Sequence, residues 1–337
     1  MAPQPLRHHA SLLCGDAVVT ATVDIGVAAK TVLCVGHAVQ DHVYRLSRLP
    51  VGGSKNRATG FTSVGGGPAA TAAVAIARLG GRARLAARVG DDAVADEIER
   101  ELRGHGIDCA QLRRFAGRAS SRSAVVVDDP GERMIVNHTD PAMPADPAWL
   151  AQIDLAGVDA VLADVRWPEG AALMLVRAKA AGLPAVLDAD VPLPPGSPLP
   201  HAATHVAFSL PGLRDHLGLA ADTPLDADAC AAALQRIARE TGAWCAVTMG
   251  AEGVLHGRAG AIVHSPAFRV TAVDTLGAGD VWHGAFALAL AEGLDEAAAV
   301  RAASAAAAIK VTRPGGRAGA PTRAERDALL SSTAGGA

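Results

Sequence analysis

Short apolar runs alternate along this chain with longer stretches whose apolar residues recur every three or four positions. The first run, residues 31–36 (TVLCVG), reads as a buried strand. Residues 69–79 predict an Ala-rich helix, with Pro68 at its start and Gly80-Gly81 after its end. The rhythm continues with strand 84–89, helix 93–105, strand 160–163, helix 170–181, strands 185–188 and 205–208, helix 227–241 and strand 244–248. A last strand over 270–273 is expected to run into a helix over roughly 278–292. This alternation predicts an α/β fold of three layers, α/β/α, with a mostly parallel central sheet covered on both faces.

Two segments break the rhythm. Residues 43–64 alternate loosely and are interrupted by Pro50, Gly52, Gly53 and Gly60. Residues 115–137 hold a strand at 123–127, the turn Asp128-Asp-Pro-Gly-Glu132 and a return strand at 133–137. Together they predict a small β-sheet lid over one end of the main sheet. Residues 1–30 read as an N-terminal extension and 31–331 as one domain. The Pro-rich stretch 192–200 reads as a loop.

Composition narrows the function classes. Half the residues are hydrophobic and 19% are charged, which suits a folded protein. Aromatics make up only 3%, so Ala, Val, Leu and Ile must build the core. A net charge of −3 with the signs interspersed lacks the basic footprint of a nucleic-acid binder. No apolar run is long enough to span a membrane, and none is expected. The cysteines, Cys14, Cys34, Cys109, Cys230 and Cys245, are odd in number and scattered. They lack zinc-type spacing, and a reducing, cytoplasmic setting is expected.

The chemistry concentrates in Asp274-Thr-Leu-Gly-Ala-Gly-Asp280. Small residues Gly277, Ala278 and Gly279 let the backbone approach a ligand, and their N–H groups open a helix where peptide dipoles favour anions. A phosphoryl group gaining charge suits such a turn. Asp280, in the first helical turn, can accept a proton from an attacking hydroxyl. His283, one turn on, is expected to pack within the helix. The turn Thr248-Met-Gly250-Ala-Glu-Gly253 is a weaker signal, because glycines after strands are common.

The 274–280 segment resembles, at every fixed position, the C-terminal signature of the ribokinase (PfkB) family of carbohydrate kinases. Gly66-Gly67-Pro-Ala-Ala-Thr71 resembles its N-terminal signature, with Thr71 where Asn is usual. The resemblance spans 31–331 and implies a ribokinase-like fold, ATP with Mg²⁺, and a monovalent cation such as K⁺ as an option. It implies that Asp280 is the base and 277–279 the anion hole. It further implies that Asp41, Gly66 and Gly67 meet the sugar, and that Thr248, Gly250, Gly253 and Gly315 meet the nucleotide. Asp274 would belong to the monovalent-cation loop, with residues 305–321 flanking that cation and the adenine. The family's Asn-x-x-Glu motif is replaced by Ser209-Leu-Pro-Gly212, leaving Mg²⁺ to phosphates and water.

A narrower resemblance is to the sulfofructose kinases, through 64–75, Ser120-Ser121, Gly131-Glu-Arg133, Asn137, 161–167 and 312–319. It implies transfer to the C1 hydroxyl of 6-deoxy-6-sulfofructose, with Lys55, Asn137 and Arg166 on the sulfonate. Arg166 could instead form a salt bridge with Asp164 or Asp188. A fructose 6-phosphate or sugar-acid kinase, or a non-catalytic sugar-binding protein, are the competing readings. Exposed lid edges point to a homodimer.

Overall fold

The larger sheet contains β1 (Thr31–Gly36), β4 (Arg82–Gly90), β5 (Asp108–Phe115), β8 (Ala160–Asp164), β9 (Ala185–Ala189), β10 (His205–Ser209), β11 (Trp244–Thr248), β12 (Val254–Arg258) and β13 (Ala261–Ser265). The smaller sheet contains β2 (Val39–Arg45), β3 (Gly60–Gly66), β6 (Arg122–Val127) and β7 (Arg133–His138). The helices are α1 (Pro68–Arg78), α2 (Ala93–Gly104), α3 (Pro168–Ala180), α4 (Leu199–Ala202), α5 (Leu210–His216), α6 (Ala227–Thr241), α7 (Ala278–Ala291), α8 (Glu296–Val311) and α9 (Arg323–Ala334). This computed structural model describes residues 29–334 apart from 54, 130, 131, 192, 194, 195 and 221. The expected extension over 1–30 therefore lies outside the described residues except for its last two positions.

The larger sheet has the order β13-β12-β11-β10-β9-β8-β1-β4-β5. Its pairs are parallel from β11 through to β5, and antiparallel only at β11-β12 and β12-β13. Alternation along β1 explains the layers. Val32 and Cys34 join the cluster built with α1, α7 and α8, whereas Leu33 and Val35 join the one built with α3 and α6. Small residues bring the first set of helices close. A Cβ on Gly284 of α7 would lie 2.5 Å from the Ala72 carbonyl of α1. Among the described residues, no helix is long and apolar enough to cross a membrane.

Three features differ from the sequence reading, the first being β5, an edge strand of the larger sheet where the reading had none. Residues 270–273 are not a strand. Their chain has left the sheet after β13, and the N–H groups of Val273 and Asp274 donate instead to the Val311 carbonyl at the end of α8, at 2.7 and 3.0 Å. The β12-β13 hairpin, absent from the reading, occupies the sheet edge that this segment would have needed.

The smaller sheet has the order β3-β2-β6-β7. It meets the larger domain directly, because Arg133 of β7 donates a hydrogen bond to Thr275 Oγ1.

Candidate active site

The carboxyl ends of β1, β8 and β9 converge on the start of α7. Asp164, the last residue of β8, is fully enclosed. Its carboxylate accepts N–H bonds from His37 (2.7 Å), Ala69 (3.0 Å) and Arg166 (2.8 Å), joining the ends of β1, α1 and β8. Gly36 makes room for it: at φ 148°, a Cβ there would lie 2.3 Å from the Asp164 carboxyl. Burial pushes the Asp164 carboxyl above its usual range, opposed by the His37 hydrogen bond.

Gly277 caps α7 in the left-handed region at φ 76°. Thr71 of α1 packs against it, with its methyl 3.3 Å from where a Cβ would stand. The turn is not three open amides, as the sequence suggested. The Ala278 N–H donates to Thr275 O at 3.2 Å, because the turn tightens before the helix begins. The N–H groups of Gly277, Gly279 and Asp280 have no backbone partner among the described residues. They are the donors free to meet an anion.

Asp280 is half-buried in the first turn of α7. Burial and the neighbouring charge of Asp190 push its carboxyl up to about 7, with Arg166 pulling the other way. Arg166 is itself held by Asp190 through both forks, at 2.6 and 2.9 Å. The expected alternatives for its partner, Asp164 and Asp188, are engaged elsewhere. Asp188 lies 3.4 Å from His283 Nδ1. The ring nitrogens of His283 lie 2.8 Å from Gly279 O and 3.2 Å from Ala207 O, so this histidine braces the turn against β10 as well as packing in its helix. Burial, reinforced by Asp190 and Asp280, raises the Asp188 carboxyl well above its ordinary value.

Asp164, Asp188, Asp190 and His283 were not selected from the sequence. For the acids the signal was present: AVLAD is an apolar strand that ends on Asp164, and AVLDA carries Asp188 next to last with Asp190 just beyond, at the edge where α/β sheets bind ligands.

On the lid, Asp41, Ser123 and Asn137 are in register across β2, β6 and β7, so all three share one face. Asn137 Nδ2 donates to Ser123 Oγ at 3.1 Å. Asp41 is buried, and burial raises its carboxyl despite a hydrogen bond from Ser123 and the charge of Arg317. A Cβ on Gly66 would lie 2.1 Å from the Asp41 carboxylate, and one on Gly67 would lie 2.4 Å from the His37 carbonyl. Lys55 is exposed on the β2–β3 connection. No hydrogen bond or ion pair joins it to Asn137 or Arg166 among the described residues.

Thr248, Gly250 and Gly253 line a cavity of about 510 Å³ together with Ala278 and Gly279. Its far wall is apolar, formed by Phe268, Trp282, Ala307 and Val311 among others. That combination of flat apolar wall and anion-binding turn suits a nucleotide. Gly315 does not line this cavity. Its N–H donates to Asp274 Oδ2 at 3.0 Å, as does that of Gly316 at 3.1 Å. Asp274 Oδ1 accepts from Leu276 N at 2.8 Å, and Lys310 Nζ donates to the Asp274 carbonyl at 2.7 Å.

Known proteins resemble this chain along most of its length. The model of the pfkB family of carbohydrate kinases matches residues 29–323. Ribokinase from Bacillus subtilis is 29% identical over 90% of this chain and 100% of its own length. The ATP-dependent ribose-1-phosphate kinase of Halopiger xanaduensis is 30% identical over 89% of this chain and 98% of its own. A crystal structure from Agrobacterium tumefaciens, given only provisionally as a ribokinase, superposes with a TM-score of 0.81 at 40% identity, covering 91% of this chain and 99% of that one. The turn that leads to Asp280, the apolar cavity beside it and these full-length likenesses agree: the chain belongs to the pfkB family of carbohydrate kinases and is an ATP-dependent sugar kinase.

Proposed function

We propose that the chain transfers the γ-phosphoryl group of ATP to the C1 hydroxyl of 6-deoxy-6-sulfofructose. The observation that carries the chemical half is the half-buried Asp280 beside unpaired amides, next to Ala278 and Gly279, which line an apolar cavity. Asp280 takes the hydroxyl proton as the sugar oxygen bonds to the γ-phosphorus. The bond from that phosphorus to the bridging oxygen breaks, ADP leaves, and the Gly279 and Asp280 N–H groups meet the charge that builds on the phosphoryl oxygens. Asp41 is suited to hold sugar hydroxyls. Closure of the lid, latched by Arg133 on Thr275, would exclude water. Mg²⁺ would be held by phosphate oxygens and water, since Ser209 is engaged as the cap of α5 and offers no carboxylate. Asp188 Oδ1, buried without a partner among the described residues, is an acceptor available to such waters.

The sulfonate half rests on the Arg166 fork, the Asn137 amide and Lys55, with the sequence strings they belong to. Pairing with Asp190 uses one N–H on each Arg166 terminal nitrogen and leaves other donors for a tetrahedral anion. That same pair favours a second reading. A guanidinium already neutralised by a carboxylate also suits a neutral sugar, and a relative named ribokinase is among the similar proteins. ADP release measured side by side with sulfofructose, fructose 6-phosphate, fructose and ribose separates the two. The highest kcat/KM on sulfofructose supports the proposal; equal or better turnover of fructose 6-phosphate or ribose overturns it.

We also infer a homodimer through the lid. Tyr44, Phe61, Met134 and Val136 share its outer face and are all exposed. Light scattering on the purified protein would read a mass twice that of the chain; a monomer would refute the pairing.

A further inference from the structure

A buried lysine remains that the reaction above does not use. Lys310, in the last turn of α8, is 0% exposed. Its ammonium donates to the Asp274 carbonyl at 2.7 Å and lies 3.4 Å from Asp274 Oδ2. It therefore sits against both the main chain and the side chain of the residue that begins the 274–280 turn. Everything else around Asp274 is arranged as a cradle. The N–H groups of Leu276, Gly315 and Gly316 bind its carboxylate, and the Val311 carbonyl accepts from the N–H groups of Val273 and Asp274. Such an enclosed carboxylate needs a counter-charge. Removing Lys310 would leave the Asp274 carboxylate and carbonyl oxygen facing a vacated space, which is the donor set of a small monovalent cation.

We infer that Lys310 stands where a monovalent cation would otherwise sit beside Asp274, so that the phosphate-binding turn is held by a tethered ammonium and the enzyme works without K⁺. The K⁺ that the family resemblance holds out as an option does not fit these residues, because the ammonium already fills the position. The role is one of positioning. Among the described residues no hydrogen bond or ion pair joins Lys310 to Asp280, and it does not line the cavity; it fixes Asp274, and Asp274 fixes the loop that leads through Leu276 to Gly277 and the open amides. Burial lowers the ammonium's pKa, and Asp274 opposes that fall.

This inference rests on the reading of 274–280 as the phosphoryl-binding turn, but not on the identity of the sugar. The assay accordingly uses whichever of the four sugars above turns over fastest. Wild-type kcat is measured with tetramethylammonium as the only monovalent cation, and again with K⁺ or NH₄⁺ added. The expected result is no change. The variant Lys310→Met, which keeps an apolar stem in the same space, is expected to lose roughly 10²-fold in kcat through misplacement of the turn. K⁺ or NH₄⁺, but not tetramethylammonium, should restore much of that loss. Stimulation of the wild type by K⁺ overturns the inference, and so does full activity of Lys310→Met without small cations. A folded Lys310→Met that no small cation rescues would also overturn it, since Lys310 would then be a structural contact only. If Lys310→Met does not fold, the wild-type measurement still decides. Failure of the phosphoryl-binding reading itself would show separately, as an Asp280→Asn variant with unchanged turnover.

Discussion

Asp280→Asn should cripple catalysis and stabilise the fold at the same time. Folding moves this carboxyl from its ordinary 3.8 up to about 7, through burial and the charge of Asp190. The unfolded chain ionises near its ordinary value, whereas the folded chain must ionise against burial and a neighbouring acid. The sign follows from this. The stability associated with the protonated form is fully present only below the ordinary value of 3.8 and is lost progressively as pH rises from there through 7, so the wild type carries the whole cost at pH 8 and part of it at pH 5. A rise of that size corresponds to about 4 kcal/mol. Because the group is only half-buried and solvent screens it, about 1–2 kcal/mol is the expected gain from the neutral amide. Thermal melting should place Asp280→Asn a few degrees above wild type at pH 8, with the gap narrowing as pH falls and closing only near pH 4. ADP release should fall by about 10²–10⁴-fold, the usual contribution of a positioned general base. The wild-type kcat/KM should show an acidic limb near 7, because only the ionised carboxylate accepts the proton. Equal melting temperatures at pH 8 would refute the electrostatic argument. Retained turnover would refute the assignment of the base.

Three further substitutions probe separate parts of the site. Asp190→Asn removes the strongest charge that raises Asp280, so the acidic limb of the pH–rate profile should move to lower pH; a limb that stays in place would show that burial alone sets it. Gly66→Ala would put a methyl 2.1 Å from the Asp41 carboxylate and displace it, lowering kcat/KM for the sugar by about 10²-fold while KM for ATP is unmoved. Ala307→Phe overfills the apolar wall of the cavity and should raise KM for ATP by about tenfold, overpacking costing about 1–3 kcal/mol; an unchanged KM for ATP would place the nucleotide elsewhere.

The three-layer fold was legible because its signals are local. Val32 and Cys34 face one layer while Leu33 and Val35 face the other, an alternation read directly from neighbouring residues. The start of α7 was legible for the same reason, as Gly277 supplies the left-handed cap and Asp280 follows within a turn. Residues 270–273 misled because an extended apolar segment looks the same whether its N–H groups find a strand or, as here, the end of α8. Two of those residues, Val270 and Ala272, are apolar because they line the cavity.

The partner of Arg166 shows where reading residues singly runs out. Asp164, two positions before it, was an obvious choice, but its two oxygens are taken by the N–H groups of His37, Ala69 and Arg166 itself. Those bonds hold Asp164 inward at the end of β8, and Asp188 turns towards His283 on α7. Asp190 lies just past β9, outside the sheet's regular alternation, and so is free to meet the guanidinium with both oxygens. Its choice of partner then reaches Asp280, whose carboxyl feels Asp190 upward and Arg166 downward. The acidity of the base is therefore set by groups at the ends of β8 and β9, Asp164 and Arg166 at one and Asp190 at the other, which the fold brings to Asp280 from far back in the chain. A motif can name the residue that accepts the proton; the pH at which it does so is a property of the packed sheet edge.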